Sequence, residues 1–432
     1  MPIWQPEFEC ITRSDLETLQ LERLQATARR CYDHVPHYRE AMDATGVTPG
    51  DVRSLDDLRL LPVTDKEVFR RAYPYGLFAV PRRDLVRLHA SSGTTGKSTI
   101  VGYTRRDLET WSDLVARFLS AAGVTDESVV QVAFGYGLFT GGFGLHYGIE
   151  RIGALVVPAS AGNTRRHLKL IEDLGTTDLV CTPSYALQVG EVAAEVGVDL
   201  SASTLKHAIL GAEPWTDAMR DRIEAVLGVD AYDNYGLSEV VGPGVSGECE
   251  HKDGLHIFED CFLPEVVDPD TLEPVPAGEE GELVITPLFK EALPVLRYRT
   301  RDRTRLIDAP CPCGRTLRRH ARITGRTDDM LIVRGVNVFP SQIEEVLLAV
   351  EGVLPQYQIV LTRSGALDEL EVKVEATAEI LSDEMRQVQA LVRRLEGELE
   401  SALALRCKVT LAEPGSLPRS LGKAQRVVDQ RG

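Results

Sequence analysis

The chain has 432 residues, of which 43% are apolar and 26% are charged, so it can bury a large core and divide into two or three domains. Its formal charge of −17 excludes a general nucleic-acid or anionic-membrane binder, because such surfaces are basic. No apolar run approaches the roughly 18 residues that span a membrane, and the first residues show no signal pattern, so we expect a cytoplasmic protein. Its eight cysteines are scattered, unlike a secreted disulfide framework.

Two helices are predicted in the first third of the chain. Ser14 and Glu17 make a capping box, and the leucine and alanine periodicity that follows predicts a helix to about His34. We expect this helix to form an N-terminal arm. Thr104 opens a second helix, which stops at Gly123.

Beyond the second helix, short apolar runs alternate with helical patterns. The predicted strands are Val129 to Ala133, Ala154 to Pro158, Leu179 to Thr182 and His207 to Leu210. The predicted helices are Thr164 to Leu174, Ala186 to Val196 and Thr216 to Leu227. This alternation is typical of a largely parallel sheet covered by helices, so the fold class is α/β.

The C-terminal half changes pattern twice. Leu255 to Leu306 reads as strands and turns, which predicts a β-rich layer beside the sheet. The final part predicts a small α/β unit, with strands at 331–333, 357–362, 370–374 and 407–412 and helices at 341–349 and 382–402. The polar run 324–329 is the natural hinge. We therefore predict a large N-terminal domain, 1–326, and a small mobile C-terminal domain, 327–432.

The stretch from His89 to Ser98, HASSGTTGKS, has the composition of a phosphate loop. Gly93 and Gly96 let backbone amides turn toward an anion, hydroxyl side chains add donors, and Lys97 adds charge. A Walker loop would need glycine at position 91, where this chain has serine, which argues against an ordinary ATPase. A plain Ser/Gly/Thr connector between two elements has the same composition, and this stretch alone does not decide between them.

Two further polar segments suit a nucleotide. The segment Tyr232 to Glu239, YDNYGLSE, offers a flat ring for a base and a carboxylate for Mg²⁺, although it could also be a polar turn. Between Leu296 and Leu306 every second residue from 297 to 305 is arginine, so an extended chain would place these arginines on one face. Asp302 lies on the other face, where a carboxylate can hold both ribose hydroxyls.

A separate group of residues has the composition of a zinc site. Cys249 and His256 are followed by the closely spaced pair Cys311 and Cys313. Three thiols and one imidazole make a closed tetrahedral set, which predicts a structural Zn²⁺ rather than a catalytic one. His251 is the other possible nitrogen ligand, and buried free cysteines are the alternative to a metal site.

Together these motifs resemble the phenylacetate-CoA ligase family of the adenylate-forming superfamily. The matching segments are SSGTTGK (91–97), FGYGLFTGGFGLHYG (134–148), YGLSE (235–239), RYRTRD (297–302), GRTDDMLIVRGVNVFP (325–340) and LPRSLGKAQRVVD (417–429). They occur in order over nearly the whole chain. The resemblance implies an aryl or arylacetic acid CoA ligase that uses ATP, Mg²⁺ and CoA, with a homodimer as its assembly. A stand-alone module that loads a carrier protein is the alternative.

The resemblance also implies residue roles. The β and γ phosphates would be held by Ser92, Gly93, Thr94, Thr95, Gly96 and Lys97. The nucleotide would further contact Glu213, Pro214, Asn234, Tyr235, Gly236, Ser238, Glu239, Asp302 and Arg326, with Glu239 also helping to place Mg²⁺. Tyr136, Phe139 and Gly142 would line the acyl pocket. Lys423 would be the catalytic cation, Asp328 the hinge, and Gly335 a wall of the CoA tunnel.

Asn234 departs from the pattern implied by the resemblance. Family members that act on phenylacetate often carry an aliphatic residue there, next to the base and acyl pockets. An amide would leave donors unpaired beside a plain phenyl ring unless it has another partner, which favours a substituted aryl acid. Asn234 could instead bond the adenine.

Overall fold

The computed structural model describes residues 2–90, 98–328, 331–334, 336–364, 367–382, 385–403, 405–419 and 426–431. The chain forms two compact units, which are described separately. The first comprises Met1–Cys181, Ser203–Ala212 and Asp230–Arg322, and the second comprises Thr182–Ala202, Glu213–Val229 and Ile323–Gly432. No helix in the described part of the chain is long and apolar enough to cross a membrane.

The helices in chain order are α1 (Pro6–Glu9), α2 (Arg13–His34), α3 (Pro36–Thr45), α4 (Lys66–Arg71), α5 (Arg105–Ala121), α6 (Thr140–Ile152), α7 (Thr164–Leu174), α8 (Pro183–Val196), α9 (Asp217–Leu227), α10 (Pro340–Leu348), α11 (Ala378–Ser382) and α12 (Met385–Leu403). Short 3₁₀ helices occupy Pro49–Asp51, Leu55–Leu60, Arg82–Asp84 and Leu200–Ala202.

The strands are β1 (Arg87–Ala90), β2 (Ile100–Tyr103), β3 (Val129–Val132), β4 (Leu155–Val157), β5 (Asp178–Cys181), β6 (His207–Gly211), β7 (Asp230–Leu237), β8 (Gly242–Gly247), β9 (Leu255–Ile257), β10 (Phe262–Val267), β11 (Gly281–Pro287), β12 (Tyr298–Thr304), β13 (Leu306–Ile307), β14 (Arg319–His320), β15 (Gly325–Arg326), β16 (Leu331–Val333), β17 (Val336–Val338), β18 (Val353–Ser364), β19 (Leu367–Ala376), β20 (Lys408–Ala412) and β21 (Val427–Asp429). The strands and helices predicted between residues 129 and 227 are confirmed, and their observed ends lie within three residues of the predicted ends.

The large sheet of the first unit has the strand order β13-β14-β9-β8-β7-β6-β5-β3-β4. The strands from β4 to β7 run parallel, and β8, β9, β14 and β13 continue the sheet antiparallel. The predicted α/β class with a parallel sheet is therefore confirmed. Because the carboxyl ends of parallel strands share one edge, residues that follow β6 and β7 are placed side by side.

The predicted β-rich layer is the antiparallel ladder β10-β11-β12. Along β12 burial alternates residue by residue, so the arginines at 299, 301 and 303 share the less buried face and Asp302 lies on the buried one. Arg299 pairs with Glu282 at 2.6 Å, and Arg303 pairs with Glu280 at 3.0 Å. The expected ion-paired face and the inward Asp302 are therefore present along β12, but Arg297 departs from the prediction, because it precedes the strand and is buried against Glu265 at 2.9 Å.

The N-terminal arm is present, but its predicted cap is wrong. Helix α2 begins one residue earlier than Ser14, and the side chain of Thr12 accepts the backbone N–H of Asp15. Both Ser14-x-x-Glu17 and Thr12-x-x-Asp15 have the spacing of a cap, so local sequence alone did not choose between them. By contrast, the predicted start of the second helix at Thr104 is confirmed, and Thr104 and Asp107 form a capping box at α5.

In the second unit, the C-terminal segment forms the sheet β20-β19-β18-β21, with α10 and α12 contributing to one hydrophobic core. Strands β18 and β19 pair antiparallel, while β20 and β21 join parallel at the two edges. The predicted small α/β unit is therefore present. Helices α8 and α9 also belong to this compact unit by their contacts.

Candidate active site

The end of strand β7 carries the candidate nucleotide segment. Its ladder with β8 shifts register between Tyr235 and Gly236. A Cβ on Gly236 would lie 2.0 Å from the carbonyl oxygen of Gly242, so only glycine fits there. The next turn brings Ser238 to 2.9 Å from the hydroxyl of Thr140, and Glu239 is buried beside it. The segment is therefore built into the sheet and is not a free polar turn.

Tyr235 and Asp302 meet across this site. The Tyr235 hydroxyl donates to Oδ2 of Asp302 at 2.5 Å, although the two residues are 67 positions apart. The Tyr235 ring lies edge-on to the ring of His320, which Ser246 holds at 2.7 Å. The residues predicted to contact the base and the ribose are thus brought together, and the ring face of Tyr235 is held by packing.

Asn234 has a backbone partner on the neighbouring strand. Its side-chain amide is buried, and Nδ2 donates to the carbonyl oxygen of Leu210 on the neighbouring strand β6 at 2.7 Å. The sequence analysis left open whether this amide has another partner, and the carbonyl oxygen of Leu210 is such a partner. The sequence could not show this bond, because Leu210 is 24 residues away and becomes a neighbour only through the pairing of β6 with β7.

The residues expected to line the acyl pocket lie in one local structure. Tyr136 and Phe139 belong to the loop before α6, and Gly142 is in the first turn of that helix. A Cβ on Gly142 would lie 2.7 Å from the carbonyl oxygen of Gly135, so glycine permits the loop to pack on the helix. Phe139 is 43% exposed, whereas Tyr136 is half-buried.

Tyr136 begins a short chain of polar contacts that the sequence analysis missed. Its hydroxyl lies 3.2 Å from Nδ1 of His146, and Nε2 of His146 lies 3.3 Å from Glu150. Burial, followed by the charge of Glu150, raises the pKa of Tyr136 to about 12, so its hydroxyl keeps its proton. The spacing of four residues between His146 and Glu150 was the available signal, since it places both on one helix face.

Other predicted nucleotide contacts lie in the second unit. Oε1 of Glu213 accepts the backbone N–H of Ser184 at 2.6 Å, and Pro214 is exposed. Arg326 forms a two-pronged ion pair with Asp328, with distances of 2.8 and 3.0 Å. Arg326, which was expected to contact the ribose and phosphates, is therefore bonded to Asp328, which was expected to be the hinge.

Several predicted residues lie outside the described part of the chain. They are Ser92, Gly93, Thr94, Thr95, Gly96, Lys97, Gly335 and Lys423. The strands that flank the first of these segments are described: β1 and β2 pair antiparallel from Arg87 with Tyr103 to Ala90 with Ile100.

The four predicted zinc ligands form one cluster. Cys249, His256, Cys311 and Cys313 each place a ligand atom within 4.8 Å of the others. Sγ of Cys249 lies 3.6 Å from Sγ of Cys311, and Sγ of Cys313 lies 3.4 Å from Nε2 of His256. Hydrogen bonds from Cys249 and His256 hold the pKa of Cys313 far below that of an ordinary thiol. His251 is not part of the cluster, so the choice of His256 agrees with the geometry.

Comparisons with known proteins agree with this geometry. A family model described as AMP-binding enzyme matches residues 39–287, and one described as AMP-binding enzyme C-terminal domain matches residues 335–431. The chain is 50% identical to a phenylacetate-coenzyme A ligase of Thermus thermophilus over 99% of this chain and 100% of that protein. It is 49% identical to a phenylacetate-coenzyme A ligase of Escherichia coli over 98% of this chain and 97% of that protein.

The chain belongs to the phenylacetate-CoA ligase family of adenylate-forming enzymes.

The chain is also similar in structure to CoA ligases that act on other acids by their names. A 2-hydroxyisobutyryl-CoA ligase in its postadenylation state is 30% identical and superposes with a TM-score of 0.93, over 99% of this chain and 92% of that one. A benzoate CoA ligase from Burkholderia xenovorans shares the fold, with 19% identity and a TM-score of 0.60. In this member of the phenylacetate-CoA ligase family, Asp302, Arg326, Cys311 and Cys313 all lie between the two matched segments.

Proposed function

We propose that the protein is an AMP-forming ligase that joins an aryl or arylacetic acid to CoA. Two observations support this proposal. The chain is 50% identical, over its full length, to a phenylacetate-coenzyme A ligase, and Tyr235 and Asp302 form a pair at the sheet edge. A carboxylate is a poor acylating agent because its leaving group would be oxide. The enzyme would therefore first form acyl-AMP and pyrophosphate, and the CoA thiol would then displace AMP.

The described residues can serve the first step by exchanging partners. Asp302 would accept hydrogen bonds from the ribose hydroxyls in place of the one from Tyr235. The freed Tyr235 would keep its ring orientation, because His320 and the β7–β8 ladder hold it. Glu239 is a buried carboxylate with the hard oxygen ligands that Mg²⁺ prefers, and that ion would neutralise phosphate charge when bound.

We further propose that the two half-reactions use different faces of a mobile C-terminal domain, residues 327–432. Lys423 would act on the carboxylate and the α-phosphate during adenylation, and Gly335 would line the path of the CoA arm during thioester formation. Asp328, already bonded to Arg326, would be the hinge between these states. Lys423→Ala should block acyl-AMP formation while supplied acyl-AMP and CoA still give thioester, and Gly335→Leu should do the reverse. Equal damage to both steps would refute the domain assignment.

The overall activity is tested by pyrophosphate release over a panel of aryl and arylacetic acids. AMP release with free CoA supports the ligase. Release only with a phosphopantetheinylated carrier protein would instead establish a carrier-loading module. Absence of pyrophosphate release with every acid of the panel would refute the proposed chemistry.

We also propose that one structural Zn²⁺ binds Cys249, His256, Cys311 and Cys313. Three sulfurs and one nitrogen suit tetrahedral Zn²⁺, and a full protein ligand set has no open position for catalysis. Metal analysis of purified protein that finds no zinc would refute this. A homodimer in the cytoplasm completes the proposal, which light scattering and cell fractionation can check.

A further inference from the structure

A cavity of about 370 Å³ lies within the first unit. The described residues that line it include none of those assigned above to the nucleotide, the acid or the metal. Helix α2 lines it with Arg23, Ala26 and Arg30, which are three and four residues apart and therefore share one helix face. Helix α5 and residues 288–291, which follow β11, also contribute to the wall. The volume is in the range of small-molecule sites.

The acidic side chains of the cavity wall already have basic partners. Each of the three carboxylates is paired with an arginine: Asp260 with Arg117 at 2.6 Å, Asp113 with Arg151 at 2.8 Å, and Glu291 with Arg106 at 3.4 Å. The pair of Asp260 with Arg117 is two-pronged and buried, with a second bond of 3.1 Å. The acidic charge of the wall is therefore neutralised by these arginines.

Basic side chains outnumber acidic ones in this wall. Five basic and three acidic residues line the cavity in the described part of the chain, which is a surplus of two positive charges in a protein whose formal charge is −17. For Arg30 and Lys290, no described carboxylate lies within ion-pairing distance. Arg23 lies 3.6 Å from Asp260, which it shares with Arg117. Such a wall favours an anionic ligand.

The cavity also has an apolar side. Leu288 is buried, and the half-buried ring of Phe289 lies edge-on to Phe262 with 5.7 Å between the ring centres. Both Leu288 and Phe289 line the cavity. An inorganic anion would leave this side in contact with water, whereas an organic group attached to the anion would cover it.

We infer that this cavity binds a phosphate monoester that carries a compact organic group. A phosphate monoester has close to two negative charges at neutral pH and three acceptor oxygens, which match the surplus of two positive charges and the donors of Arg23 and Arg30. A carboxylate or a sulfate ester has one charge and would neutralise half of the surplus. The inference is independent of the proposed ligase activity.

The test measures binding of three matched anions to the full chain by isothermal titration. Phenyl phosphate has both the double charge and the ring, phenyl sulfate has nearly the same shape with a single charge, and inorganic phosphate lacks the ring. We expect phenyl phosphate to bind at least about tenfold more tightly than either of the other two. Its affinity should fall as the salt concentration rises, because the attraction is between charges.

Two pairs of variants locate the binding. Ala26→Glu adds a carboxylate to the cavity wall and should weaken phenyl phosphate at least about tenfold, whereas Ala26→Gln has the same size without the charge and should stay within about threefold. Arg30→Gln should weaken binding about tenfold. Its control is Arg29→Gln, an exposed neighbour outside the wall, which should leave the affinity within about twofold. Thermal melting checks that each variant is folded.

Several results would overturn the inference. One is the absence of phenyl phosphate binding to the wild type at millimolar concentration. Another is equal affinity for phenyl sulfate, which would show that the second charge is not recognised. Binding that survives both Ala26→Glu and Arg30→Gln, or that weakens equally in Ala26→Gln and Ala26→Glu, would place the anion elsewhere. Pyrophosphate release in the same preparations reports separately on the ligase.

Discussion

The Cys/His cluster and the candidate nucleotide segment lie on the same sheet, yet their side chains are arranged in opposite ways. Cys249, His256, Cys311 and Cys313 point at one another, with all ligand atoms within 4.8 Å. In the nucleotide segment the polar groups form separate pairs, such as Tyr235 with Asp302 and Ser238 with Thr140. The first arrangement converges on one point, and the second leaves each group able to exchange its partner.

This difference distinguishes a structural site from a binding site. Buried thiols crowded together are stabilised by a cation that all of them share, and such a set has no vacancy for a substrate. The cluster joins the β8–β9 connection to the segment before β14, so a metal there would fix that end of the sheet. Paired hydrogen bonds in the nucleotide segment keep buried polar groups satisfied until a ligand replaces one member of the pair.

The largest effect is expected at the cluster. Cys313→Ala removes one of the proposed zinc ligands and would leave the others without a shared cation, so the free energy of unfolding should fall by about 4 kcal/mol or more. Chemical unfolding and metal content measure this. Cys407→Ala, a buried cysteine outside the cluster, is the control and should cost about 1 to 2 kcal/mol with unchanged metal content. Equal losses in the two variants would remove the distinction between the sites.

The next effect tests the nucleotide segment. Asp302→Ala removes the carboxylate proposed to hold the ribose, and kcat/KM for ATP should fall about 100-fold, or about 2.7 kcal/mol. The melting temperature should change much less than in Cys313→Ala. Arg303→Ala, on the opposite face of β12, is the matched control and should leave kcat/KM for ATP within about twofold. A large loss of stability with little kinetic change would make Asp302 a structural residue.

Lys290 is a buried charged group outside both regions, and its substitution measures how much an unpaired buried charge lowers the free energy of unfolding. Its Nζ lies 3.2 Å from the carbonyl oxygen of Gly102 and 3.6 Å from the centre of the Tyr103 ring, and among the described residues no carboxylate pairs with it. Burial lowers the pKa of Lys290 from 10.5 to about 8.

Between these two pKa values the unfolded chain binds a proton that the folded chain releases, so this group makes stability rise with pH from about 8 to 10.5. Lys290→Met should therefore be more stable than the wild type near pH 7, by at most about 3 kcal/mol. The gain should vanish as pH approaches 10.5. Urea unfolding at several pH values measures it, and a gain independent of pH would show that folding does not shift the pKa of Lys290.

The smallest effect concerns the exchange of partners. Tyr235→Phe deletes the hydroxyl that occupies Asp302 but keeps the ring, so KM for ATP should change by about threefold or less. Tyr235→Ala also removes the flat face and should raise KM for ATP by at least about tenfold. Initial rates at varied ATP concentration measure KM for both variants. Equal effects of the two variants would show that the hydroxyl, and not the ring, contacts the nucleotide.

Local patterns predicted most elements because their signals are short-range. The start of α5 after Thr104 and the bounds of α7 follow from residues close in sequence, and both predictions are confirmed. At the start of α2 two caps of equal spacing competed, and the sequence analysis chose the wrong one. A distant contact accompanies the observed start of α2. Its first residue, Arg13, donates to both carboxylate oxygens of Glu259 at 3.0 Å, and Glu259 lies 246 residues away in sequence.

By itself, the sequence determined the α/β alternation, the inward position of Asp302 and the residues of the Cys/His cluster, because periodicity and residue type are local properties of the chain. Only the tertiary structure decided which group the amide of Asn234 bonds and which group the Tyr136 hydroxyl meets. Both depend on partners that the chain brings close by strand pairing or helix packing, Leu210 for the amide and His146 for the hydroxyl. A hydrogen bond depends on distances of a few tenths of an ångström, which spacing along a chain does not specify.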